Sequence, residues 1–169
     1  MHVYGVVGWK NAGKTTLVER LVAEIAGRGL TVSTVKHTHH MVDVDKPGKD
    51  SHRHRQAGAH QVILSSSARW AVMTELRGAP ETPLAELLTH LSPVDLVIIE
   101  GYKRDDHPKV EAWRAETGQP LIARDDPTVR AVASNDRPEV DKPVIGLDDI
   151  PAIADFILAD LGITAAASA

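Results

Sequence analysis

The chain has 169 residues, 19 Lys and Arg against 23 Asp and Glu for a formal charge of −4, 43% apolar residues and no cysteine. A chain of this length hides about 70% of the surface its unfolded form exposes, which disfavours disorder and fibrous repeats, and the missing cysteines remove disulfides, thiolate metal sites and thiol nucleophiles. No apolar run approaches ~18 residues, the opening reaches Gly8 and Lys10 too soon for a signal peptide, and the charge is acidic, so a cytoplasmic protein with neither membrane nor nucleic-acid partner is expected.

Residues 2–7 (HVYGVV) are β-branched and apolar and predict a buried strand. Leu17, Val18, Leu21, Val22, Ile25 and Ala26 then fall on one stripe of a helix that Gly27 and Gly29 end. Residues 31–35 read as a second strand, completing the strand, helix, strand unit from which parallel sheets are made. From Lys36 to Arg55 the chain is polar, with Pro47, Gly48 and five His, and a short helix opens only at Asp50 or Ser51; a loop of this length is expected to be functional. Residues 62–67 and 69–76 predict two strands joined too tightly for a crossover, hence an antiparallel pair whose edge offers a surface for self-pairing.

Thr82 is expected to cap a helix with Pro83 at its first position and Leu84, Leu87, Leu88 and Leu91 on one face. Residues 94–99 (VDLVII) are the most strand-like run, and shorter strands are expected at 109–113, 120–123, 129–133 and 143–146. Asp148 or Asp149 with Pro151 opens a last helix, and the tail from Thr164 is expected to fray.

Gly8-Trp9-Lys10-Asn11-Ala12-Gly13-Lys14-Thr15 matches G-x-x-x-x-G-K-[ST] and stands between a buried strand and an amphipathic helix, where a phosphate-binding loop must stand. The glycines let successive N–H groups turn inward, and the helix adds its positive end. Lys14 supplies a cation for the β- and γ-phosphates, and Thr15, followed by Thr16, a hydroxyl for Mg2+. The metal's acid is expected at the end of a neighbouring strand, where Glu100 precedes Gly101, whose N–H is expected to meet a γ-phosphate. Asp95, at the strand's other end, reads as a solvated start. The fold class that follows is α/β: a P-loop NTPase-type three-layer fold, a mostly parallel sheet with helices on both faces and a short antiparallel extension, in one domain over residues 1–163 with a tail at 164–169.

His37, His39 and His40 leave the second strand at the same end of the sheet, but His-x-His is thin evidence for zinc, and a polar loop bordering phosphate is the preferred reading. Asp50 either caps a short helix or reaches the metal, and Arg53 and Arg55 either steady phosphate charge or face water. Lys103, Arg104 and Lys109 read individually as surface cations. No N-K-x-D guanine signature is present; Asn135 and Asp136 offer an amide and a carboxylate to a base edge, or a plain turn, so the residues alone leave guanine and adenine open.

GWKNAGKTT (8–16), VKHTHH (35–40), Asp50-Ser51 with Ala57-Gly58-Ala59, IEGYK (99–103) and Pro108 to Glu111 together resemble the molybdopterin-guanine dinucleotide biosynthesis protein B family, MobB, over residues 1 to about 113. The resemblance implies a homodimeric GTP-binding protein with weak Mg2+-dependent GTPase activity. It would assist the guanylyltransferase MobA, which attaches GMP to molybdopterin. Lys14 and Thr15 would hold phosphate and Mg2+, Glu100 would be the strand-end acid, and His37 and Asp50 would border the site. A P-loop small-molecule kinase and a non-hydrolysing nucleotide or pterin adaptor are the alternatives. The acidity is uneven: residues 139–169 hold one Lys and six acids, while Lys36 to Arg55 carries five Lys and Arg against three Asp, a local field suited to a compact polyanion.

Overall fold

The computed structural model describes residues 1–38 and 42–164. In chain order the elements are β1 (His2–Val7), α1 (Lys14–Gly27), β2 (Val32–Lys36), α2 (Asp50–Gln56), β3 (Gln61–Ser65), β4 (Trp70–Thr74), α3 (Leu84–Thr89), β5 (Leu96–Glu100), β6 (Lys109–Ala112), β7 (Val129–Ala133), β8 (Val144–Ile145) and α4 (Ile150–Asp160). They divide into two compact units, Met1–His37 with the chain from Leu91 onward, and Thr38–His90.

In the larger unit, six strands pair in the order β2-β5-β1-β6-β7-β8, parallel throughout. The chain leaves β1 toward β2 on one side and continues through β6 toward β7 and β8 on the other, so the loops after β1 and β6 diverge. A crevice at the carboxyl ends of the strands follows from that divergence. Alternation along the strands sends Tyr4, Val6, Leu96, Ile98, Val110, Ala112, Ala131 and Ala133 to one face, against Leu17, Leu21 and Ile25 of α1 and Ile153 and Ile157 of α4. Each fully buried aliphatic side chain contributes about 1.5–3 kcal/mol. Ala26, at the edge of the predicted stripe, is exposed. The opposite face, with Val7, Val129 and Val132, is covered by Leu121 and Ala123.

That cover corrects one expectation: residues 120–123 form no strand, and a 3-10 turn runs over Ile122–Arg124. The cause is Glu111, fully buried on β6, whose two carboxylate oxygens accept the N–H groups of Ile122 at 2.9 Å and Ala123 at 2.8 Å. Burial raises the Glu111 carboxyl pKa, and these two N–H bonds oppose the rise. Lys109, read as a surface cation, is also fully buried; its ammonium donates to Asp105 O and Thr128 Oγ1.

At the amino end of the sheet, Asp95 is no idle charge. Its Oδ2 accepts from Thr31 N at 2.7 Å and Thr31 Oγ1 at 2.6 Å, tying the start of β5 to the start of β2. The hydrogen bonds from Thr31, hydroxyl first, lower its carboxyl pKa.

The smaller unit holds α2, the antiparallel β3–β4 pair, in register from Gln61 opposite Thr74 to Ser65 opposite Trp70, and α3. The expected cap at Thr82 shifts by one residue: Pro83 is the N-cap, extended, with no side-chain bond. Arg55 of α2 gathers three carboxylates, Asp43 at 2.7 Å, Glu75 at 2.6 Å and Asp45 at 3.5 Å, and so pins the loop before α2 to the end of β4.

The cap of α4 is Asp149, whose side chain accepts from Ala152 N at 3.2 Å. Asp149→Ala is expected to cost about 1 kcal/mol. Urea unfolding followed by circular dichroism checks it, as a lowered midpoint with unchanged slope.

Candidate functional site

The loop between β1 and α1 takes its shape from backbone angles that few residues adopt. Gly8 has φ +145°, and a side chain there would stand 2.4 Å from Ala112 O on β6. Only glycine lets the loop cross that strand so closely. Asn11, at φ 67°, and Gly13, at φ 93°, turn the chain twice more, and Ala12 is buried beneath. Gly13 is also the N-cap of α1. No side chain caps this helix and its first turn carries no acid, so its first N–H groups are left without a capping side chain.

Lys14, first residue of α1, folds back so that Nζ donates to Trp9 O at 2.8 Å. Its pKa is lowered, first by burial and then by the positive charges of Lys103 and Lys36; Glu100 opposes them. Lys103 lies over the Trp9 ring, its Nζ 3.9 Å from the centroid, and burial lowers its pKa too. Trp9 is fixed from another direction, its indole N–H donating to Pro120 O at 2.8 Å.

Glu100, the last residue of β5, is only 8% exposed. Thr15 Oγ1 donates to its Oε1 at 2.9 Å. Lys36, the last residue of β2, pairs with Glu100 across the parallel ladder, and its Nζ stands 3.2 Å from Oε1 and 3.1 Å from Oε2. The same ammonium is 3.4 Å from Thr15 Oγ1. A hydroxyl and a carboxylate thus converge on one cation, the oxygen donor types that Mg2+ takes.

His37 borders this cluster. Its N–H donates to Glu100 O at 2.9 Å, and its ring lies 4.6 Å from that of Tyr102. Its Cβ would stand 3.0 Å from a side chain at Gly101, where φ is +105°. The Gly101 N–H, expected to face a phosphate, instead donates to Val6 O at 3.2 Å and prolongs the β1–β5 ladder. Tyr102 follows with φ 49°, a strained value for a side-chain-bearing residue.

Lys14, Thr15, Glu100 and His37 are therefore brought together with Gly8, Asn11, Ala12, Gly13 and Gly101. Thr16 is exposed on α1. Asn135 Oδ1 accepts from Leu147 N at 2.9 Å, and its Nδ2 donates to Asp148 Oδ2 at 2.6 Å. Asp136 Oδ2 accepts from Ala115 N at 2.8 Å. Both residues thus shape the turn after β7. Asp50 begins α2 in the smaller unit, its carboxylate 91% exposed and 4.0 Å from Arg53 Nη1. His39 and His40 lie outside the described residues; among those described, no group of three or more His, Asp or Glu forms a metal site. Lys36 and the Trp9–Lys103 stack were missed in the sequence, although VKHTHH and EGYK placed both lysines at or near the carboxyl ends of strands.

Among the described residues no helix is long and apolar enough to cross a membrane. The family model for molybdopterin guanine dinucleotide synthesis protein B (MobB) matches residues 3–135. A Haemophilus influenzae protein named molybdopterin-guanine dinucleotide biosynthesis adapter protein is 43% identical over 159 residues, covering 90% of this chain and 85% of the relative. Its Escherichia coli namesake is 39% identical over 153 residues, covering 89% and 87%. The crystal structure of Bacillus subtilis MobB superposes with a TM-score of 0.71 at 27% identity, covering 94% of this chain and 97% of that one. Motifs, sheet order and relatives agree, and the chain belongs to the MobB family.

Proposed function

We propose that this protein is a Mg2+-dependent GTP-binding adapter with slow GTPase activity, acting in molybdopterin guanine dinucleotide synthesis alongside the guanylyltransferase MobA. The observation that carries the nucleotide part is electrostatic. The ammonium groups of Lys14 and Lys36 face one carboxylate, Glu100, at the uncapped N-terminus of α1, and Lys103 adds its charge beside Lys14. Such a field lacks a polyanion, and a triphosphate supplies one. In this reading the backbone N–H groups of residues 8–13, other than that of Ala12, which bonds Trp9 O, and the Lys14 ammonium hold the β- and γ-phosphates. Thr15 Oγ1 and Glu100 hold Mg2+, whose contribution when bound is to neutralise charge developing on the phosphates. His37 borders the site, and Asp136 serves the guanine edge with the carboxylate oxygen not bonded to Ala115. The adapter role rests on the names borne by the relatives.

A small-molecule kinase needs an arginine-bearing lid, for which Arg53 and Arg55 are the candidates; Arg55 is already engaged. Its hold on Asp43, Asp45 and Glu75 weakens that reading. Self-association is supported by the hairpin of the smaller unit, where Ile63, Trp70 and Val72 share one face and are 67%, 67% and 44% exposed. A second copy of the chain is the occupant proposed for it.

Lys14→Ala is expected to abolish nucleotide binding in calorimetry, and wild type is expected to bind Mg2+·GTP more tightly than Mg2+·ATP; equal affinities would remove the guanine assignment. Slow phosphate release without an acceptor, lost in Glu100→Ala, supports hydrolysis over the non-hydrolysing adaptor. The lowered Lys14 pKa fixes a sign as well. The free site releases its Lys14 proton at lower pH than an ordinary lysine, and bound phosphate restores it. Binding at about pH 9, below the ordinary lysine value, should therefore take up protons. Calorimetry in buffers of different ionisation enthalpy measures that uptake. Trp70→Glu is expected to convert a dimer to a monomer in sedimentation velocity.

A further inference from the structure

The ammonium of Lys36 stands where a divalent ion belongs. Its nitrogen is 3.1 and 3.2 Å from the two oxygens of Glu100 and 3.4 Å from Thr15 Oγ1. The Thr15 hydroxyl proton points away from that nitrogen, because Oγ1 donates it to Glu100 Oε1 at 2.9 Å. The Thr15 oxygen is thus left as an acceptor facing a cation, the same electronic role it would play toward Mg2+. A magnesium ion held ~2.1 Å from that oxygen, on the side facing Glu100, would lie within contact distance of the ammonium. Two cations of total charge +3 do not share such a space beside one carboxylate.

We infer that Lys36 is the resident counter-cation of the metal position: in the nucleotide-free protein it holds Thr15 and Glu100 in place, and Mg2+ enters only as Lys36 leaves. The inference rests on reading the loop as a Mg2+·nucleotide site and adds a residue and an order of events to it. Lys36 is suited to leaving. It ends an edge strand, its side chain is 57% exposed, and its flexible stem can carry the charge from Glu100 to an incoming phosphate. Neither Lys14 nor Lys103 fits the role, because Lys14 is held by Trp9 O and Lys103 lies over the Trp9 ring. Facing the charge of Lys36 beside Glu100, Mg2+ alone competes poorly, whereas Mg2+ carried by phosphates brings its own charge balance. The device would keep the site free of metal until nucleotide arrives.

Two measurements test it. The first uses Mn2+ alone, titrated by electron paramagnetic resonance. Lys36→Met is expected to bind Mn2+ about tenfold more tightly than wild type, the size expected for removing one like charge at close range. Lys36→Arg should stay near wild type, and adding Glu100→Gln to Lys36→Met should erase the gain. The second compares GTP affinity in Mg2+ with that in EDTA; the ratio is expected to rise about tenfold in Lys36→Met. A lysine that only contacts phosphate would lower both affinities together, so an unchanged ratio with unchanged Mn2+ binding overturns the inference. Circular dichroism confirms that the variants fold. If wild type binds no nucleotide at all, the functional reading fails by itself, and the Mn2+ titration still decides the role of Lys36.

Discussion

The position of β5 between β1 and β2 is the constraint from which the site follows. Parallel register sets Glu100 opposite Val6 on one side and Lys36 on the other. Cross-strand partners share a face, so the acid and the lysine meet without help from any loop. A slip of one residue would turn Glu100 to the opposite face and leave Thr15 with no carboxylate. The ladder is secured against such a slip at both ends. Gly101 N to Val6 O and His37 N to Glu100 O extend it at the carboxyl end, and the Asp95–Thr31 bonds close it at the amino end.

The second wall of the crevice depends on a buried charge. Glu111, inside β6, accepts two backbone N–H groups and so holds residues 121–124 against the sheet. Pro120 just before them receives the indole N–H of Trp9, and Trp9 supports Lys103. A fully buried carboxylate is costly unless hydrogen-bonded, and here its bonding steadies the outer surface of the phosphate loop. Removing one partner would leave the other groups buried and unsatisfied, which is why the segment folds as a turn and not as a seventh strand.

Much of this was legible from the residues. Apolar alternation and the helical stripe found β1, α1, β5 and α4, and the spacing of Gly8, Gly13, Lys14 and Thr15 found the loop. Glu100 followed from the need for a strand-end acid, and it does meet Thr15. What stayed hidden depended on pairing between distant residues. Lys109 and Glu111 alternate with apolar neighbours as surface charges do, and nothing local shows that Asp105, Thr128 and the 122–123 N–H groups wait to receive them. Residues 120–123 look strand-like because their composition is apolar, while the N–H groups of Ile122 and Ala123 belong to a side chain eleven and twelve positions earlier. Lys36 was visible as a cation, but its register partner was not, since strand order cannot be read from any single strand.

The two ion-pair clusters differ in a way that separates a strut from a moving part. Arg55 is 10% exposed, touches three carboxylates and holds its loop in one geometry, so removing it would leave Asp43, Asp45 and Glu75 facing one another without a cation. The Lys36 side chain is 57% exposed and that of its partner Glu100 11%, so the pair is open on the lysine's side only. Its charge lies against Glu100, the acid beside the phosphate loop. An accessible ammonium on a critical acid is what an exchangeable cation requires: enough attraction to keep Glu100 oriented, and a flexible stem that yields to a divalent ion arriving with its own anion.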